Sequence, residues 1–224
     1  MASTLSVAEL VEAVRRADSA LGLLQATQAL AASAHPAAAA CLVEVLGFNN
    51  PGAAVAAVDG LIAIGEPAVA TILTHIDGHN YGARAWAVRA LAGIGDVRGL
   101  EVLEEALGQD IGPSVRRAAA RGLGQLQLAG LSLAAQRLTA SRCLQALLDG
   151  CRDGEWVVRY AVVVGLELLA SQLDQLQGEL HGDDWSAPRQ PLLAALQGLS
   201  AAAAEPVPVV QLRAALALQR LGHG

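Results

Sequence analysis

One recurring motif limits what this chain can fold into. PGAAVAAVDGLIAIG (51–65), YGARAWAVRALAGIG (81–95), PSVRRAAARGLGQLQ (113–127), EWVVRYAVVVGLELL (155–169) and PVVQLRAALALQRLG (208–222) superpose on a single leucine. The anchors are Leu61, Leu91, Leu123, Leu166 and Leu218, with an earlier copy at Leu30 in LLQATQALA. Their spacings are 31, 30, 32, 43 and 52 residues, so the last two intervals carry insertions, near 127–141 and 170–190. A period of roughly 30 residues marks a repeat architecture, in which no unit can bury its apolar side alone and each stacks on its neighbours.

Other columns fall into line with the anchor. Ten residues before it stand Pro51, Tyr81, Pro113, Trp156 and Pro208. Proline is favoured at the first helical position, where its missing N–H is unneeded, so this column predicts helix starts. Gly65 and Gly95, four residues after the anchor, are placed as C-terminal caps. Between these helices lie others, EPAVATILTHI (66–76) and DVRGLEVLEEAL (96–107), with apolar residues at i, i+3, i+4 and i+7. The chain is 54% hydrophobic, yet aromatic residues make up only 3%. Sheet cores draw on aromatic and β-branched side chains, whereas chains rich in Ala and Leu pack as helices.

Asp110 and Arg116, and Asp153 and Arg159, share an Asp-x5-Arg spacing that belongs to the HEAT repeat pattern. Arg84 stands in the arginine column and Glu205 in the acidic one. A half-buried arginine needs a carboxylate partner. These residues are therefore expected to form a structural ladder of hydrogen bonds between repeats. The expected fold is all-α: an α-solenoid of five to six HEAT-like helix pairs, curved as a right-handed superhelix. It forms one domain over 1–224, with regular repeats over about 20–127 and insertion-bearing repeats over about 128–224.

Several functions are disfavoured. The formal net charge is −6, from 15 basic and 21 acidic residues, whereas a nucleic-acid footprint wants a basic face. No apolar run approaches the roughly 20 residues needed to span a bilayer, so no membrane insertion is expected. The N-terminus lacks the basic and apolar regions of a signal peptide. Cys41, Cys143 and Cys151 sit in helical contexts and suit a reducing cytosol as small buried hydrophobes. No CxxC, HExxH, GxGxxG or Walker motif occurs, and the five His are scattered. No metal site is expected, and no catalytic residue is identifiable.

A ligand face is legible instead. Inner helices of such a solenoid line its concave side. Two residues before the anchor stand Gln28, Asp59, Arg89, Arg121, Val164 and Leu216. Trp86 lies three residues ahead of Arg89, on the same side of its helix. Tyr81 shares that repeat, and Trp156 and Tyr160 share another. As core these aromatics are unremarkable filling, and Asp59 and Arg89 are solvated positions that pair across repeats. As surface they suit a flat, conjugated anion, because aromatic faces stack and guanidiniums grip carboxylates. His79-Asn80 and Asn49-Asn50 lie in turns before inner helices, where turn chemistry accounts for them.

The stretch GFNNPGAAVAAVDGLIAIGEPAV, followed by DGHNYGARAWAVRALAGIGDVRGLEVLEEAL, PSVRRAAARGLGQL and EWVVRYAVVVGL, resembles the HEAT-like phycobilin lyase family. Within it, the chain is most similar to the smaller, F-type subunits of heterodimeric phycocyanin α-subunit phycocyanobilin lyases. The resemblance covers about residues 5–170 and is most specific at 47–124. The C-terminal third, with the insertion LQGELHGDDWSAPRQP, matches much less clearly.

The resemblance implies an enzyme that pairs with a larger E-type HEAT subunit and binds a linear tetrapyrrole. The tetrapyrrole, phycocyanobilin or phycoerythrobilin, is a substrate; no tightly bound cofactor is implied. Together the subunits attach it by a thioether to a cysteine of a phycobiliprotein α subunit, in the cyanobacterial cytosol near phycobilisomes. The bilin-binding residues are then expected among Asp59, Tyr81, Trp86, Arg89, Arg121, Trp156 and Tyr160. Members that also isomerise the bilin carry Asn-His-Cys-Gln-Gly-Asn where this chain has Phe48-Asn49-Asn50-Pro51-Gly52, which implies a plain lyase. The alternatives are a non-catalytic bilin or phycobiliprotein chaperone, a phycobilisome-turnover factor, and a generic HEAT scaffold.

Overall fold

The anchor leucines are the centre of the core. In the computed structural model Leu30, Leu61, Leu123 and Leu166 are 0% exposed, Leu91 1% and Leu218 7%. The structure describes residues 5–76, 80–179 and 186–222; His79 lies outside them. The described residues form twelve α-helices and two short 3-10 turns, at Pro36–Ala38 and Val97–Gly99. The helices are α1 (Val7–Arg16), α2 (Ala20–Ala32), α3 (Ala39–Leu46), α4 (Pro51–Ile64), α5 (Glu66–His75), α6 (Tyr81–Ile94), α7 (Leu100–Gln109), α8 (Pro113–Gln125), α9 (Leu133–Gly150), α10 (Trp156–Glu179), α11 (Ser186–Ser200) and α12 (Pro208–Arg220). They pair as six repeats, each even-numbered helix carrying an anchor leucine. The fold is an all-helical repeat solenoid, as the spacing predicts.

The chain divides into two compact units, residues 1–99 and 100–224. In the first, α2, α4 and α6 pack side by side as an inner row, and α3 packs on α5 in the outer row. Small residues set the spacing: a Cβ at Gly60 would lie 2.7 Å from the Ala31 Cβ, and one at Gly93 2.3 Å from the Ile62 Cδ1. The asparagines that the sequence places in turns are the N-caps of α4 and α6. Asn50 accepts the Ala53 N–H and Asn80 the Ala83 N–H, both at 3.0 Å. Asn50 also donates from Nδ2 to the Ala20 carbonyl at 2.9 Å, tying the start of α4 to that of α2. Gly95 takes a left-handed conformation, φ 74°, that closes α6.

In the second unit α8, α10 and α12 form the inner row and α7, α9 and α11 the outer. The closest approach is between α8 and α10. A Cβ at Gly124 would meet the Gly165 carbonyl oxygen at 2.2 Å, and one at Gly165 the Ala120 oxygen at 2.4 Å. The first insertion forms the 126–132 connection and lengthens α9; the second lengthens α10 to 24 residues. Trp156–Gly178 is long and apolar enough on average to cross a membrane, although Arg159 and Glu167 interrupt its apolar runs. Of that stretch, 56% is buried inside the fold.

The ladder is present in this unit. Arg116 donates from Nε and Nη2 to the Asp153 carboxylate at 2.7 and 3.0 Å. Its Nη1 donates to the Asp110 carbonyl at 2.8 Å. Arg159 repeats the arrangement one step on, with Glu205 and the Asp153 carbonyl as acceptors. Each acid also accepts a backbone N–H of its own turn: Asp110 that of Gly112, Asp153 that of Glu155, Glu205 that of Val207. Each arginine thus fixes the turn before its helix and the turn of the next repeat. Arg84 occupies the corresponding position of α6.

Candidate functional site

The inner helices expose a regular register. Residues two, six and nine positions before each anchor lie on one side of the helix, because these offsets close on the α-helical period. The register exposes Gln28 on α2, Asp59 on α4, Arg89 on α6 and Arg121 on α8. The column predicted to face a ligand is therefore open to solvent at these four residues.

In the first unit the predicted residues come together in part. Arg89 places its guanidinium carbon 4.9 Å from the centroid of the Trp86 ring, a cation–π contact that orients the arginine without neutralising it. Trp86 is half-buried, and Tyr81, the first residue of α6, is 44% exposed. Between α2 and α4 lies an open groove of about 240 Å³ lined by Gln28, Ala31, Gly52, Val55, Ala56 and Asp59. Its floor is apolar, with an amide and a carboxylate beside it. Gln28 was legible as a column position yet was not among the predicted binding residues; its place beside Asp59 follows from the packing of α2 on α4.

In the second unit Arg121 is exposed on α8. Trp156 opens α10 at 44% exposure, and Tyr160 follows one turn later, half-buried. Arg117 stands one turn before Arg121 on the same side of α8 and is also exposed. Neither arginine holds an ion pair among the described residues. Most arginines nearby are engaged: Arg116, Arg142, Arg159 and Arg213 all hold carboxylates. Adjacent unpaired guanidiniums repel each other, and an anion between them relieves that repulsion. Arg117 escaped the sequence reading because only the column two before the anchor was followed there; the column six before it contains Arg117.

No cysteine stands on these faces among the described residues. Cys41 and Cys143 are buried, as predicted; Cys151 is only half-buried, and its thiol donates to the Leu147 carbonyl at 3.4 Å. Burial pushes the Cys143 thiol up to about 12 and the Cys151 thiol up to about 11, so both stay protonated at neutral pH. No group of three or more His, Cys, Asp or Glu able to hold a metal stands together among the described residues. The faces can stack an aromatic system, grip carboxylates and accept N–H groups.

The chain is similar to several known proteins. The HEAT repeats family matches residues 76–167. Phycocyanin alpha phycocyanobilin lyase CpcF of Synechocystis sp. (strain ATCC 27184 / PCC 6803 / Kazusa) is 52% identical over 169 residues, 75% of this chain and 79% of that protein. A phycobilisome maturation protein of Synechococcus elongatus (strain ATCC 33912 / PCC 7942 / FACHB-805) is 51% identical over 77% of this chain and 84% of that protein. A chain in the structure of the complex of CpcE and CpcF of phycocyanin lyase from Nostoc sp. PCC7120 superposes with a TM-score of 0.70 at 39% identity. That match covers 82% of this chain and 99% of the other.

Proposed function

The chain belongs to the HEAT-repeat phycobilin lyase family, and on that premise we propose that it is the smaller subunit of a heterodimeric bilin lyase. With a larger E-type HEAT subunit it binds a linear tetrapyrrole and attaches it to a cysteine of a phycocyanin α subunit, in the cytosol near phycobilisomes. The observation that carries this reading is 52% identity to a named phycocyanobilin lyase over most of that protein's length.

The exposed register supports a division of labour for a flat ligand with two propionates. Arg89 in the first unit and Arg121 in the second each offer a guanidinium able to bind a propionate, since an exposed guanidinium forms two parallel N–H···O bonds to a carboxylate. Trp86, Tyr81, Trp156 and Tyr160 stack against the conjugated system or line its path. Asp59 accepts pyrrole N–H groups, with the Gln28 amide beside it in the α2–α4 groove.

The reaction adds the acceptor thiol across the exocyclic ethylidene double bond of the bilin. Sulfur bonds to the ethylidene carbon, the thiol proton ends on the ring carbon, and no electrons leave the system. The protonated thiols of this chain take no part. Its contribution is orientation: holding the bilin so that one carbon meets the incoming sulfur replaces a bimolecular encounter with a positioned one.

Binding is tested by titrating phycocyanobilin into the purified two-subunit complex and following its absorption and circular dichroism. The expected result is an ordered spectrum distinct from free bilin, weakened when Asp59→Asn and Arg89→Gln are combined. A complex that leaves the free-bilin spectrum unchanged contradicts the reading.

A further inference from the structure

The α2–α4 groove is smaller than the ligand proposed for this face. Pockets that take a whole drug-sized ligand hold about 300–1,000 Å³, and this groove holds about 240 Å³. Small residues keep its two walls close. Ala31 and Ala56 line it, and at Ala31 the helices nearly touch, since a Cβ at Gly60 would lie 2.7 Å from that of Ala31. Two polar side chains stand in the groove unengaged. Gln28 and Asp59 are exposed, and neither holds a hydrogen bond or ion pair among the described residues. The groove therefore has room for part of a linear tetrapyrrole, beside one free amide and one free carboxylate.

We propose that this groove holds one end of the bilin, the terminal lactam ring remote from the ethylidene group, and that Gln28 is the residue that recognises it. The proposal rests on the bilin-lyase reading above and assigns one ring and one residue within it. A lactam presents its carbonyl and its N–H side by side, in a fixed cis arrangement. A primary amide presents the complementary pair, an NH2 donor beside a carbonyl acceptor. The two close a cycle of two hydrogen bonds, a match that neither a propionate nor a central pyrrole offers. A carboxylate only accepts, so Asp59 takes the N–H of the adjoining pyrrole and turns propionates away from the groove. The propionates stand on the two central rings, which leaves a terminal ring as the occupant.

The chemistry decides which end. A linear tetrapyrrole has a lactam at both ends, and the acceptor thiol adds to the end that carries the ethylidene. That carbon has to stay open to a sulfur brought by another protein, whereas a ring seated between α2 and α4 has a helix on either side. The far end therefore takes the groove. Packed helices lie about 8–10 Å apart, a span of one to two pyrrole rings, and α6 is the next inner helix after α4. Rings running from the groove toward α6 bring a central propionate to Arg89 and leave the reactive end beyond it.

The test changes ligand and residue together, as a double-mutant cycle does. The ligand is a dipyrrinone, a lactam ring joined to one pyrrole with no ethylidene, compared with its O-methyl lactim ether, which lacks the lactam N–H. Each is titrated by calorimetry into the purified two-subunit complex carrying the wild-type chain, Gln28→Leu or Val55→Phe. Gln28 and Val55 are exposed, so melting temperatures should hold. Expected is a preference of about fivefold or more for the dipyrrinone in the wild type, as two net hydrogen bonds give, and none in Gln28→Leu. Val55→Phe, whose larger side chain fills the groove, should weaken both ligands. A preference that survives Gln28→Leu, or binding that Val55→Phe leaves unchanged, overturns the proposal. Tighter binding of a dipyrrinone that bears the ethylidene puts the reactive end in the groove and overturns it too. A complex that binds and attaches phycocyanobilin yet binds no dipyrrinone overturns the proposal and leaves the lyase reading standing; a complex that binds neither overturns the lyase reading itself.

Discussion

Arg159 and Glu205 meet as a bidentate pair, Nε to Oε2 at 2.6 Å and Nη2 to Oε1 at 2.8 Å, although 46 residues of chain separate them. Glu205 is 1% exposed. The contact spans the larger insertion and fixes the turn that launches α12. A buried arginine deprived of its carboxylate is left poorly compensated, so Glu205→Gln should cost about 3 kcal/mol. Urea unfolding of the purified chain measures it. A loss below about 1 kcal/mol, the worth of a surface pair, would remove the ladder from the account of stability.

The same geometry sets an acid limit. Hydrogen bonds from Arg159, and the Val207 N–H, hold the Glu205 carboxyl below its ordinary value against burial. For Asp153 burial pushes upward, and the hydrogen bonds from Arg116 and Glu155 outweigh it. Both groups bind protons more weakly folded than unfolded. Their contribution is fully present above the unfolded value of about 4 and is lost as pH falls through the lower, folded values. Stability measured by urea midpoint should therefore be flat near neutrality and decline below about pH 5, with a shallower decline in Glu205→Gln. A stability that rises on acidification contradicts the assignment.

The ladder also shows how much of this protein is written in its sequence. A single leucine column located six inner helices, because one buried side chain per repeat is the least negotiable feature of a solenoid. The helix-start column held for Pro51, Tyr81, Pro113, Trp156 and Pro208, each the first residue of its helix. Asp110 and Asp153 were recognisable as ladder acids by their Asp-x5-Arg spacing, and Glu205 by its place in the same acidic column before the anchor. Links outside these columns were not. Arg98 bridges Asp96 and Glu66, and Arg142 reaches Glu104, through positions that carry no fixed column. The candidate site was half legible for the same reason: register names the exposed residues, but the α2–α4 groove exists only once two helices pack.

Close helix contact gives a prediction of opposite signs at two glycines. A Cβ at Gly124 would lie 2.2 Å from a backbone oxygen of α10, which cannot move aside as a side chain would. Gly124→Ala should force α8 and α10 apart and cost about 2 kcal/mol or more. At Gly108, exposed on α7, an added Cβ meets nothing within 4 Å. Gly108→Ala should stabilise by about 0.5–1 kcal/mol, since alanine loses less backbone freedom in a helix. Thermal unfolding of the two variants side by side decides it; equal effects would mean the α8–α10 contact is looser than described.

The ligand face makes a prediction about function without stability. Arg89 is exposed with its guanidinium over the Trp86 ring, and neither it nor Arg121 has an ion pair among the described residues. Arg89→Gln with Arg121→Gln should leave the unfolding midpoint within about 0.5 kcal/mol of wild type. Bilin attachment should fall by tenfold or more, as expected when two charge-assisted pairs are lost. Unchanged attachment would remove both arginines from the proposed bilin site.

The central claim is that this chain is one half of a bilin lyase. The most direct measurement co-expresses it with an E-type subunit and a phycocyanin α subunit in a host that makes phycocyanobilin, omitting each component in turn. The denatured α subunit is then scored for zinc-enhanced bilin fluorescence, which reports a covalent adduct. The account predicts an adduct that requires both HEAT proteins and is absent when either is left out. An adduct that forms equally well without this chain, or none with all components present, would contradict it.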